Sequence, residues 1–418
     1  MSNYANRRFL AEYWLATDNE IAADIFFLRR TGQSVGTIGH IPRVPHWWTH
    51  LSSYPLLTLY LSRFLRLGWR LTAGVPFHIL VAARLFLDMY RTRQDIHALP
   101  EEIGLAFSQR AQELVVEPQV PAPQAWIVPP WVEASPKRSE LTHIPLLTQV
   151  TTADLINALW LAVIATSTPG RSEQRRSWLL QTYTALPWLL TRIALSRISA
   201  NFVMAEHFDR WAVLADVVTR SKRRTGASHT QLTLVQHGYV GSLGADDHRI
   251  QLKYRLNAVS RLFTFDEASE QVFRTEILSP GAASRAATFR FKPTINLTQL
   301  AGSKVFRVLF VGHPMCAALQ RSVFNGLAKE NLSVFYKPHP VAGMPGMCEE
   351  TGWHLILDRD VFPEVDLIVS YRSTLVAEYE GHGVAAIIHE LSDDLNDVPL
   401  LIKRIEAFAD MRHGSGLY

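Results

Sequence analysis

At 418 residues the chain is too long for one ordinary hydrophobic core, and two domains are the expectation. Hydrophobic residues make up 48% and charged residues 19%, a folding composition that excludes a disordered or fibrous chain, and a net charge of only +4 does not point to nucleic acid as a partner. The two cysteines, Cys316 and Cys348, have neither metal-ligand spacing nor a disulfide framework, which points to a reducing, cytoplasmic setting.

The segment Met1–Glu12 is polar and charged, without a secretory pattern. Residues up to about 150 read as a mostly helical N-terminal region. Its most hydrophobic stretch is Tyr54–Tyr90, interrupted by Arg63, Arg66, Arg70, Arg84 and Asp88 and punctuated by Pro55 and Pro76. No window there offers ~20 uninterrupted apolar residues, so a spanning helix is not expected. Leu56, Leu59, Tyr60, Phe64 and Leu67 recur at helical spacing with arginines between them. Two readings stay open: a buried helical hairpin with its arginines outward, or a basic amphipathic face lying peripherally on the inner surface of the cytoplasmic membrane. Glu117–Pro136 carries six prolines and reads as an extended or turn-rich connection.

Thr152–Thr166 and Ser177–Ser196 read as helices, the second interrupted at Pro187. From Ile198 strands and helices alternate: strands over Asn201–Ala205, Gln231–Gln236 and Arg261–Phe265, with helices over Phe208–Lys222 and Glu267–Ile277. After a connection over Pro280–Gln299 comes a second alternating unit. Its strands are Phe306–Val311, Leu332–Tyr336, Trp353–Leu357, Asp366–Ser370 and Ala385–His389; its helices are Ala317–Lys329, Thr374–Tyr379 and Val398–Met411. Alternation of this kind predicts an α/β protein with two Rossmann-like domains of parallel sheet facing a cleft, 151–295 and 296–418.

The candidate chemistry sits at the predicted strand ends, where open α/β sheets bind ligands. Lys337-Pro338-His339-Pro340 closes one strand: Lys337 offers charge to a phosphate, His339 an imidazole N–H, and the prolines fix the loop. About thirty residues on, Ser370-Tyr371-Arg372-Ser373-Thr374 opens a helix, and hydroxyls at a helix N-terminus suit an anion, although they serve as ordinary caps as well. Glu378, one turn into that helix, either accepts from ribose hydroxyls or complements the helix dipole. Gly312-His313-Pro314 follows the first strand of the same unit, with Gly312 allowing close backbone approach and His313 open to a ligand. In the preceding unit Gln236-His237-Gly238 makes His237 a candidate general base, with Glu206 and Asp209 at an earlier strand end able to orient it. Asp246, Asp247 and His248 read as a solvated loop more readily than as metal ligands.

Together, Gln236-His237-Gly238, Lys337-Pro338-His339-Pro340 and Ser370-x-x-Ser373-Thr374 resemble the GT-B transferases of bacterial surface-polymer synthesis. That group includes capsule Kdo transferases, bacterial sialyl- and polysialyltransferases, and CDP-glycerol glycerophosphotransferases. The resemblance spans roughly residues 200–395. It implies a glycosyltransferase working without a metal or other cofactor, which moves a sugar with inversion from a nucleotide-activated donor, cytidine-activated in the Kdo and sialic acid type, to a glycan or glycolipid acceptor. His339, Ser373 and Thr374 would hold the donor phosphate, and His237 would be the base. The chain departs from several sialyltransferase families in lacking a placeable Asp/Glu-containing glycine motif, so the donor stays open. A polyol-phosphate transferase and a sugar-nucleotide epimerase on the same fold are the alternatives; the epimerase would need carboxylates, for which Glu206, Asp209 and Asp247 are the candidates.

Overall fold

The structure is a computed structural model that describes residues 3–30, 35, 40–42, 55–92, 99–115, 119–133, 142–226, 229–238, 240, 250–299, 305–313, 316–328, 331–339, 352–358, 360–391 and 393–414. The chain is α/β and separates into two compact units, one built mainly from residues up to Phe291 and the other mainly from Lys292 onward.

Among the described residues the first unit opens with the helices α1 (Asn3–Arg30), α2 (Pro55–Thr72) and α3 (Val75–Arg91). Its sheet contains β1 (Glu102–Leu105), β2 (Ala125–Val128), β3 (His143–Pro145), β4 (Asn201–Met204), β5 (Leu232–Val235), β6 (Val259–Thr264) and β7 (Ala287–Arg290). All neighbours are parallel, in the order β3-β2-β1-β4-β5-β6-β7. The helices between are α4 (Gln109–Leu114), α5 (Thr152–Ser167), α6 (Glu173–Ser177), α7 (Ala185–Arg197), α8 (Arg210–Arg224), α9 (Glu267–Val272) and α10 (Pro280–Arg285).

Three strands precede residue 150, so the expected border at 150/151 falls inside this unit. The reason lies in the prolines. They flank β2, with Pro121 and Pro123 before it and Pro129 and Pro130 after it, and leave Ala125–Val128 free to donate to the ladder. At Gly104 in β1 a Cβ would come within 2.5 Å of the Trp126 ring, so the residue opposite the fully buried Trp126 has to be glycine. The N-terminal helix is likewise part of the core. Arg192 of α7, almost fully buried, donates to Glu12 of α1 at 2.7 Å. Asn19 donates to the carbonyls of Phe208 (3.0 Å) and Tyr254 (2.8 Å) and accepts from the Tyr254 N–H (2.9 Å). Pro187 does not break the helix there, because it falls in the first turn of α7, where no N–H is needed.

The second unit holds β8 (Leu297–Thr298), β9 (Phe306–Val311), α11 (Ala317–Gly326), β10 (Leu332–Lys337), β11 (His354–Leu355), β12 (Phe362–Pro363), β13 (Leu367–Tyr371), α12 (Thr374–Gly381), β14 (Ala385–His389) and α13 (Val398–Gly414). Five strands form a parallel sheet in the order β11-β10-β9-β13-β14, and β8 pairs with β12 apart from it. Each main sheet reverses its winding once, between β1 and β4 in the first unit and between β9 and β13 in the second. Ligands of open α/β sheets bind at the carboxyl ends of strands beside such reversals.

Candidate functional site

In the second unit, chain leaving β9 gives Gly312 and His313, chain leaving β10 gives Pro338 and His339, and β13 ends at Tyr371 before Ser373 and Thr374 start α12. The imidazoles of His313 and His339 meet edge to face at 5.3 Å, and His313 stands 5.4 Å from the Tyr371 ring. Residues from three strand ends are thereby gathered at the winding reversal. Ser373 is the N-cap of α12, but its side chain makes no cap; its hydroxyl lies 3.3 Å from that of Ser370. Ser370 is fully buried and donates to the Tyr371 carbonyl at 2.7 Å, so it positions Ser373 from inside the sheet.

Three expected donor contacts take other roles. The Lys337 ammonium is buried and donates to the carbonyls of Asp358 (2.7 Å) and Val361 (2.9 Å), 4.7 Å above the Phe362 ring. Burial lowers its pKa, and the carboxylates of Asp358 and Asp360 partly offset this. Lys337 is thus a strut for the 358–362 segment instead of a phosphate ligand. Gly312 is required by packing: a Cβ there would lie 2.0 Å from the Tyr336 hydroxyl oxygen, whose ring stacks on Trp353 at 4.4 Å. Glu378 is buried beside Tyr379, whose hydroxyl donates to the Pro363 carbonyl at 2.9 Å. Pro340 lies outside the described residues, as do Asp246, Asp247, His248 and Cys348.

A deeper anchor sits behind this edge. The Gln320 amide donates to the Val311 carbonyl (2.9 Å) and to Nε2 of His389 (3.0 Å). Nδ1 of His389 must then donate to the Glu390 carbonyl at 3.0 Å, which fixes a neutral tautomer that burial also favours.

In the first unit β5 runs into Gln236-His237-Gly238 and β4 into Glu206-His207. His207, which the sequence reading passed over, is the partner of His237: their rings stack at 4.0 Å with 29° between planes. Nε2 of His207 accepts from the N–H groups of His237 (3.1 Å) and Gly238 (3.3 Å), so that nitrogen carries no proton. Burial first, and the neighbouring His237 second, hold its pKa well below the ordinary imidazole value. Gln236 completes the turn, accepting from Phe265 N–H (2.9 Å) and donating to the Gly238 carbonyl (2.9 Å) and Ser269 hydroxyl (3.1 Å).

Glu206 therefore does not take the orienting role expected of it. Its buried carboxyl has a strongly raised pKa, through desolvation first and then Asp209 and Glu20. Glu206 shares a side-chain hydrogen bond with Asp209, whose Oδ1 in turn caps α8 by accepting from Trp211 (2.6 Å) and Ala212 (2.9 Å). Beside the winding reversal stands a column of three rings: buried Phe107, just past β1, stacks on Trp211 at 4.6 Å, and Trp211 stacks on Trp131 at 5.5 Å. Trp131 ends the column 39% exposed. The signal for His207 was present in sequence, since it belongs to the short connection leaving a predicted strand; Trp211 falls inside the predicted helix, and the stacking was not readable.

No group of three or more metal-ligating side chains occurs among the described residues. The fold belongs to the broad class of α/β proteins built from two Rossmann-like regions of parallel sheet. No family model matches the chain, and no curated protein matches it either.

Proposed function

We propose that the protein is a glycosyltransferase of the GT-B type acting in bacterial surface-polysaccharide synthesis. Its donor is a nucleotide-activated sugar, cytidine-activated, and its acceptor a glycan. The observation that carries this reading is the gathering of His313, His339, Tyr371 and the Ser373–Thr374 start of α12 at one winding reversal. Imidazole donors and a helix start with no side-chain cap suit a phosphate. Glu206 and Asp209 are committed to each other, which disfavours the epimerase reading.

In this reading the acceptor hydroxyl gives its proton to His237 as its oxygen bonds to the anomeric carbon. The bond from that carbon to the donor phosphate oxygen breaks, and the nucleotide leaves with the electron pair. The charge that develops on the phosphate is met by His313, His339 and the N-terminus of α12. Fixed donors aimed at developing charge are worth about 3 kcal/mol each in comparable sites.

A thermal-shift panel of CMP, CDP, UDP and GDP on the full chain tests the donor site, since a ligand at 100-fold its Kd adds ~2.7 kcal/mol. Stabilisation by cytidine nucleotides that disappears in His339→Ala is expected. A flat response to all four nucleotides sinks the reading, and turnover of a nucleotide sugar to an epimer without acceptor would replace it.

A further inference from the structure

The α2–α3 pair is built inside out. On α2 the side chains buried against the first unit are Thr58 and Ser62, while Phe64 and Leu71 stand 72% and 77% exposed. On α3 the buried residues are His78, Ala82 and Leu85, while Leu80 and Tyr90 are 70% and 75% exposed. Exposed Leu56, Tyr60, Phe64, Leu67 and Leu71 fall at helical spacing and so form one continuous stripe. A surface helix in water turns such a stripe inward, and exposed apolar patches of this kind mark binding faces. The orientation is held in place: Trp69 Nε1 donates to the Thr182 hydroxyl at 2.8 Å, and His78 Nε2 lies 3.1 Å from the Thr166 hydroxyl.

Charge identifies the partner. Residues 55–92 contain five arginines and one aspartate, so the 37 basic and 37 acidic residues elsewhere cancel and the whole net charge of +4 belongs to this pair. Exposed Arg63 and Arg70 flank the apolar stripe. A second copy of the chain would set like charge against like charge, whereas an anionic lipid surface complements both features. Among the described residues no single helix is long and apolar enough to cross a membrane, and the two helices are bent by 78° at their junction.

We propose that the outer face of α2 and α3 docks on an anionic lipid surface, lying among the headgroups without crossing them. The test is flotation of the full chain with vesicles of phosphatidylglycerol and phosphatidylcholine (1:1), against phosphatidylcholine alone. Binding to the anionic vesicles, weakened by salt, is expected. Each arginine near such a surface contributes about fivefold, so Arg63→Gln/Arg70→Gln should bind on the order of 25-fold more weakly. Phe64→Ser/Leu71→Ser should lose binding with the melting temperature unchanged, because both side chains are already in solvent. The proposal is overturned if the wild type ignores anionic vesicles, if either pair of substitutions leaves binding intact, or if bound protein resists alkaline carbonate extraction as an embedded one does. It is equally overturned if the wild type self-associates and Phe64→Ser/Leu71→Ser abolishes that, which would make a second copy the occupant.

Discussion

The two parallel sheets end differently. At the carboxyl edge of the first unit, polar side chains are spent on the backbone: His207 accepts from two N–H groups, Gln236 spans three elements and Asp209 caps α8. The result is a stiff turn that presents one imidazole, His237. At the corresponding edge of the second unit the stitching is moved below, to Ser370, Lys337 and the Gln320–His389 pair, and the imidazoles of His313 and His339 meet through their rings. The first arrangement suits proton transfer at one atom, and the second suits a diffuse anion.

If the two edges divide the labour in this way, their substitutions separate kinetically. His237→Ala is expected to lower kcat by 10²–10⁴-fold, the usual range for a general base, while leaving the nucleotide thermal shift intact. His339→Ala should remove the thermal shift together with activity. A nucleotide shift lost in His237→Ala, or kept in His339→Ala, would show the assignment to be reversed. The measurement is initial rate in parallel with melting temperature for both variants.

Next in size is the packing beneath the second edge. Gly312→Ala places a Cβ 2.0 Å from the Tyr336 hydroxyl oxygen, and Tyr336 cannot swing aside because it is fully buried against Trp353. Overpacking of this kind costs about 1–3 kcal/mol, and a contact this close belongs at the upper end. Chemical denaturation should show the loss. An unchanged midpoint would mean that Gly312 serves ligand approach and not packing.

Two buried lysines, Lys337 and Lys222, give a smaller, pH-dependent contrast. Lys337 has two carbonyl partners, whereas the Lys222 ammonium in the first unit has no hydrogen-bond partner and lies 4.7 Å over the Phe202 ring. Burial, with Arg192 adding to it, lowers the Lys222 pKa to about 8. Because the folded value lies below the unfolded one, folding stability carries the full cost of this charge below pH 8 and is relieved of it as pH rises toward 10.5. Lys222→Met should therefore stabilise by about 1–3 kcal/mol at pH 7, and the gain should shrink above pH 8. Melting curves at pH 7 and pH 10 decide it; a gain independent of pH would point to packing alone.

What could be read from sequence was periodicity and strand ends. The alternation after Ile198 located β4, β5, β6, β9, β10, β13 and β14, and the residues that follow β9, β10 and β13 are brought to one edge. Four-residue strands hidden among prolines, such as β2, carry too short a pattern to register, which is why three strands before residue 150 were missed. Residue type also failed to separate a ligand from a strut. Lys337 and Gly312 have the chemistry of a phosphate loop, but Lys337 faces the carbonyls of Asp358 and Val361 and Gly312 faces Tyr336, contacts that depend on residues up to 24 positions away in the chain. Nothing in the sequence separates His207 from its neighbour Glu206: its stacking on His237 and the two N–H bonds it accepts depend on residues 30 and 31 positions away in the chain.

The aromatic column allows the acceptor side of the proposed transferase to be tested by itself. Phe107 and Trp211 are held by β1 and by the capped start of α8, so the plane of Trp131 is set by stacking rather than by its own turn. Trp211 lies four residues after His207, in the first turn of α8, and His207 is the stacking partner of the proposed base. An exposed indole held this way offers a flat face to the C–H side of a sugar ring, and such a contact is worth about 1 kcal/mol. Trp131→Ala should raise the acceptor KM about fivefold while leaving kcat and the nucleotide shift unchanged. Trp131→Phe, which keeps a flat ring on Trp211, should recover most of the loss. A fall in kcat without a change in acceptor KM would instead make the column a support for the β4–α8 connection, since disturbing Trp211 would reach His207 and through it the His237 turn.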